Sequence, residues 1–188
     1  MQYPILTYGR PELRQPCRPV QAVDAQARRL IDDMLETMYA ANGIGLAATQ
    51  VGRSEAVCVI DVGGAPRAAE AAGVAMPLVL VNPRLTGSEG TELDQEGCLS
   101  FPELYVSVKR AAEIGVTFLD RDGRPCAVRF RGFLARVVQH ELDHLNGMLL
   151  VDRMTVVQKA AAAGKLKRLK KSVRNEQRGD KQWGQDGH

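Results

Sequence analysis

Two hydrophobic periods alternate along the chain. From Asp24 onward, Leu30, Ile31, Met34, Leu35 and Met38 recur at spacings of three and four, after a capping-type residue and before Asn42-Gly43, which predicts an amphipathic helix. Five short β-type runs follow: AVCVID (56–61), LVLVN (78–82), ELYVSVK (103–109), EIGVTFLD (113–120) and CAVRF (126–130). Gly, Pro and Asp turns divide them, and Asp122-Gly123 has the chemistry of a hairpin. No helical pattern separates the later runs, so antiparallel pairing is expected and the fold class is α+β. A second helix is predicted from about Gly132 to Asn146-Gly147, where an αL-tolerant pair supplies the stop. After Asp152 a third helical pattern places Val156, Ala160, Ala163, Leu166, Leu169 and Val173 on one stripe among lysines.

These patterns divide the chain into a body over 1–152, a basic helix over 153–174 and a tail over 175–188 whose polar composition predicts disorder. The small-residue segment at 63–75 is expected to be a mobile loop, and no internal repeat is present. The net charge of +3 conceals an asymmetry: residues 1–152 hold 15 basic and 19 acidic groups, residues 153–188 hold 10 and 3. The longest apolar stretch, GVAMPLVLV, falls well short of the roughly 18 residues a membrane span requires, and no signal-type segment precedes Arg10, so a cytoplasmic protein with no membrane association is expected. Cys17, Cys58, Cys98 and Cys126 form no CxxC pair, which fits a reducing compartment better than a disulfide framework.

The segment QHELDHLNG (139–147) adds chemistry to the second helix. His140 and His144 lie one turn apart and can reach one cation, while Glu141 is offset toward a water on that cation. A hydrolytic site needs three protein ligands and an open position. A third histidine at position 150 is ruled out by Leu150, and the only acids after Asp152 are Glu176, Asp180 and Asp186 in the tail. Upstream, Cys98 precedes a Phe101-Pro102 turn and is a candidate thiolate ligand, whereas Cys17, Cys58 and Cys126 read as small core hydrophobes. The glycines of GIGLAATQ (43–50) mimic a dinucleotide loop, but such a loop follows a strand and this one follows a helix.

GIGLAATQ (43–50), EGCLS (96–100) and HELDH (140–144), in this order, resemble the three motifs of peptide deformylases, and ILTYGRPELRQPCRPV, VNP (81–83) and LDRDG extend the likeness over about residues 4–155. The resemblance implies antiparallel sheets packed around a central HExxH-bearing helix, with an N-terminal and a C-terminal helix. It implies that Cys98, His140 and His144 bind one divalent metal, ferrous iron being the usual ion although the donor set also suits Zn2+, Ni2+ or Co2+. It further implies Glu141 as the catalytic acid/base, with the Gln50 side chain and the Leu99 backbone N–H binding the oxyanion. The reaction expected is removal of the formyl group from N-formylmethionyl peptides, with release of formate.

Gly43 and Gly45 are expected to let a peptide approach as an added strand, and Ile44, Leu46 and Val137 to line a pocket for its first side chain. Asp143 is expected to pair with a nearby arginine, and Arg110 matches a family position; neither is assigned a catalytic role. The basic helix suggests docking on ribosomal RNA, and a monomer is expected for want of a large unexplained apolar surface. A zinc endopeptidase and an RNA-binding protein with a structural metal site are the competing readings.

Overall fold

A computed structural model describes residues 1–65 and 74–183. The first helix, α1 (Ala25–Ala40), starts where Asp24 accepts the Ala27 N–H at 2.9 Å and buries Leu30, Ile31, Met34, Leu35 and Met38. It stops at Asn42, whose φ of 53° lies in the left-handed region that asparagine tolerates.

Among the described residues seven strands follow: β1 (Gly45–Ala47), β2 (Val57–Ile60), β3 (Leu78–Glu89), β4 (Glu92–Cys98), β5 (Phe101–Arg110), β6 (Glu113–Leu119) and β7 (Pro125–Arg131). All pair antiparallel, in a five-stranded sheet of order β1-β2-β3-β6-β7 and a separate β4-β5 pair. Five strands coincide with the runs read from the sequence. β1 and β4 were not expected: GLA and ELDQEGC lack β-branched residues, and their strand state comes from cross-strand partners rather than propensity. β3 runs beyond LVLVN through Pro83, which is accommodated by a register shift between Val81 and Arg84. The loop expected at 63–75 falls mainly outside the described residues.

The helix carrying both histidines, α2 (Gly132–Leu145), is buried along most of its length. Leu134, Ala135, Val138, Leu142 and Leu145 pack with Ala47, Cys58, Ile60, Leu80 and Phe130 of the large sheet. Its C-terminus turns at Gly147, with φ of 71°, where an added Cβ would run into the Arg14 carbonyl.

The third helix, α3 (Val156–Trp183), lies along the outer side of β5. Gln158 Nε2 donates to the Ser107 carbonyl at 2.8 Å, and Lys165 Nζ donates to the Glu103 carbonyl. Its inward stripe is Ala162, Leu166, Leu169 and Val173, so the expected stripe holds only from Leu166 onward; Val156, Ala160 and Ala163 are exposed. A run of small residues fits either face, and the Gln158 contact fixes the helix rotation. The helix also continues past 174 to Trp183, where disorder had been expected. Arg, Glu and Gln are strong helix formers however polar the segment, and Ser172 donates to Glu176 across one turn at 3.2 Å. Residues 184–188 of the tail lie outside the described residues.

Forcing a side chain into the αL position beside Arg14 sets a measurable cost. Gly147→Ala is expected to lower unfolding stability by about 1–3 kcal/mol in urea denaturation, and a loss below roughly 0.5 kcal/mol would contradict the turn geometry.

Candidate metal centre

Cys98 is the last residue of β4, where a register shift after Gly97 closes the tight Leu99-Ser100 turn into β5. The shift turns its sulfur toward α2, and Sγ lies 3.3 Å from His144 Nε2. One ligand atom from each of Cys98, His140 and His144 fits within 4.8 Å of the others. The imidazole rings are 5.0 Å apart at 66°, edge to face.

A carboxylate can only accept from an imidazole N–H, so the 3.0 Å contact of His140 Nδ1 with Glu96 Oε2 places the proton on Nδ1 and leaves Nε2 free to ligate. Glu96 is 6% exposed and also accepts from Arg110 at 2.8 and 2.9 Å and from Arg136 at 2.7 Å. Burial alone pushes the Glu96 carboxyl up, but Arg110 and His140 outweigh it and hold it far below the usual carboxylate range. Asp143 holds Arg110 at 2.5 Å and Arg153 at 2.5 and 2.9 Å, matching the structural pairing expected of it.

Burial disfavours the charged form of both histidines. At His144 it prevails and the pKa falls well below normal; at His140 the Cys98 sulfur and Glu96 overcome it and the pKa rises. Glu141 is buried beside them, and loss of solvent pushes its pKa up to about 7 against the pull of His140 and Arg110. Its Oε2 has no hydrogen-bond partner, and neither has the buried His144 Nδ1. The carboxylate occupies the space that Gly45 leaves, because a Cβ at 45 would overlap Glu141 Oε1. A soft sulfur and two imidazoles suit a borderline divalent cation, and the unpartnered carboxylate oxygen lies buried beside them. The residues present therefore fit a metal with an open position.

Gln50 is 1% exposed; its Oε1 accepts the Ala47 N–H at 2.9 Å, and Nε2 lies 3.1 Å from Ser100 Oγ and 3.6 Å from Cys98 Sγ. Leu99 sits in the turn after Cys98, packed so closely on Gly43 that a Cβ there would meet its Cδ1 at 2.7 Å. A cleft of about 440 Å³ opens over the cluster, and Gly43, Ile44, Gly45, Gln50, Cys98, Leu99, Val137, His140 and Glu141 line it. Leu46 is not among the cleft residues, which corrects the expectation of a pocket role. Side chains alternate along β1, so while Ala47 packs toward α2, Leu46 is fully buried against Met34 and Met38 of α1.

Sequence reading overlooked Glu96 and Arg136 as partners of the site, and Phe133, Leu104 and Tyr105 as walls of the cleft. The signals were present: residues two apart on a strand share a face, which pairs Glu96 with Cys98, and Arg136 lies one turn before His140.

A sulfur and two imidazoles on and beside an HExxH helix, with a cleft above them, form the donor set of a metallohydrolase site. The chain belongs to the polypeptide deformylase family, whose family model matches residues 2–160. A peptide deformylase of Alkalilimnicola ehrlichii is 48% identical over 165 residues, covering 88% of this chain and 89% of the relative. Peptide deformylase 2 of Vibrio cholerae is 43% identical over 93% of this chain and 97% of its own length. Among solved structures, a Legionella pneumophila peptide deformylase superposes with a TM-score of 0.81 at 38% identity, covering 92% of this chain and 98% of its own. A Synechococcus elongatus peptide deformylase in complex with actinonin gives 0.78 at 42% identity, with 87% of each chain covered. The family is metal-dependent, and its members remove the N-formyl group from nascent polypeptides. Among the described residues no helix is long and apolar enough to cross a membrane.

If Glu96 fixes the His140 tautomer, replacing its charge disturbs the ligand it orients. Glu96→Gln is expected to weaken divalent metal binding roughly 10–100-fold in a chelator competition, and unchanged affinity would remove Glu96 from the site.

Proposed function

We propose that this chain hydrolyses the formyl amide of N-formylmethionyl peptides at the cluster of Cys98, His140 and His144, with Glu141 as the acid/base. The observation that carries this reading is the Glu141 carboxylate, buried with one oxygen unpartnered and lodged against the ligand cluster where Gly45 gives it room. A divalent cation held by the three ligands supplies Lewis acidity and brings the pKa of a water toward neutrality. Glu141 takes the proton of the attacking water and delivers it to the departing amine, which is otherwise a poor leaving group. Gln50 and the Leu99 N–H donate to the former formyl oxygen as it gains negative charge, a contribution of about 3 kcal/mol for each donor.

Ile44 and Val137 give the methionine side chain an apolar pocket, and Gly43–Gly45, the segment that leads into the edge strand β1, offers a backbone for the peptide to pair with. The ion is ferrous iron in this reading, supported by the family resemblance, and Zn2+, Ni2+ or Co2+ can replace it in the same donor set. Formyl-Met-Ala-Ser given to anaerobic, iron-loaded protein is expected to yield formate with its peptide bonds intact; internal cleavage would favour an endopeptidase. Glu141→Ala should keep one metal per chain while formate release falls roughly 10²–10⁴-fold. Loss of metal in that variant would show that Glu141 serves as a ligand instead.

The protein is read as a cytoplasmic monomer that meets its substrate on the ribosome through α3, whose Lys167, Lys171 and Arg174 are exposed. Reversing these three to Glu should abolish cosedimentation with ribosomes and leave turnover of the free tripeptide unchanged. Equal cosedimentation would remove ribosomal RNA as a partner. Charge reversal is a cleaner probe than truncation, because α3 buries Ala162 and Val173 against the body.

A further inference from the structure

The Gln50 amide is held at both ends. Its Oε1 accepts the Ala47 N–H at 2.9 Å, and because a backbone N–H can only donate, this contact identifies the oxygen end. Nε2 then donates to the Ser100 hydroxyl oxygen at 3.1 Å and to the Cys98 sulfur, on the side of the ligand cluster, at 3.6 Å. Held by the Ala47 bond alone, the amide can swing about the O···H axis. The second bond fixes its plane and leaves the remaining N–H on the Cys98 sulfur, a long contact at the edge of the ligand cluster that a formyl oxygen placed there would replace.

Ser100 has no exposed surface and does not line the cleft, so it meets no substrate. Its backbone is set from behind by the N-terminal strap: the Tyr8 N–H donates to the Ser100 carbonyl at 2.9 Å, and the Leu6 N–H donates to the Gln50 carbonyl at 2.7 Å. The Tyr8 ring stacks on Phe101 at 4.8 Å, which ties the strap to the residue after Ser100.

We infer that Ser100 is a positioning residue for deformylation: its hydroxyl orients Gln50 so that one amide N–H faces the formyl oxygen as charge develops there. The inference rests on the reading of Gln50 as an oxyanion donor. A donor aimed in advance needs no reorganisation during reaction, which is where such sites gain their advantage. Since Ser100 lies off the peptide's path, the effect falls on kcat rather than KM.

The test compares wild type, Ser100→Ala, Gln50→Ala and the double variant as iron-loaded holoenzymes with formyl-Met-Ala-Ser under anaerobic conditions. Ser100→Ala is expected to lower kcat about tenfold, less than the roughly 10²–10³-fold cost of losing an oxyanion donor outright, with KM and metal content unchanged. In the Gln50→Ala background the same substitution should change nothing, because no amide remains to be oriented. Ser100→Cys is slightly larger and offers a weaker acceptor, should fall between wild type and Ser100→Ala, and carries the test if the alanine variant does not fold. Wild-type kcat in Ser100→Ala, or equal losses in both backgrounds, overturns this inference alone. Absence of formate release by the wild type overturns the deformylase reading with it.

Discussion

The Glu96 carboxylate, shared among Arg110, Arg136 and His140, is the interaction on which the rest of the molecule turns. The β4-β5 pair that carries Cys98 has no strand pairing with the five-stranded sheet. Its position relative to α2 is set by this ionic knot and by Arg136, which donates to the Val108 and Glu92 carbonyls at 2.9 and 3.0 Å. One helical side chain thereby grips both strands of the pair. Charges this deep cost several kcal/mol each to desolvate and persist only when fully paired, so their contribution is alignment more than stability. The alignment brings a sulfur from a strand end to two imidazoles on a helix.

Two glutamates lie next to His140 and are driven apart by their surroundings. Glu96 is surrounded by cations and stays ionised; Glu141, adjacent in sequence to the histidine, has burial as its main influence and a pKa raised to about 7. Two carboxylates beside one histidine thus differ in how readily they take up a proton, a division created by partners rather than by residue type.

Much of this was legible in the sequence, and the gaps have physical causes. α1, α2 and five strands carry their own periodicity and caps, so they stand at the expected positions. β1 and β4 lack such signals because tertiary pairing imposes their conformation, and with them went the facing of Leu46, which depends on knowing that 45–47 is a strand. The ligand candidates were readable from helical spacing and family motifs. Strand and helix spacing point to Glu96 and Arg136 one at a time, but their pairing with each other and with Arg110 spans separate elements and carries no local signal. Polar composition misled at the tail, where helix propensity carries α3 on to Trp183.

The way α3 meets β5 has a further consequence. A strand with one unpaired side presents a row of amides and carbonyls that can template a foreign strand. Gln158 and Lys165 occupy the Ser107 and Glu103 carbonyls of β5, so the basic helix covers part of the surface that an incoming strand would meet. The cover over β5 and the cationic surface that α3 offers are therefore carried by different faces of one element, and neither can be altered without regard to the other.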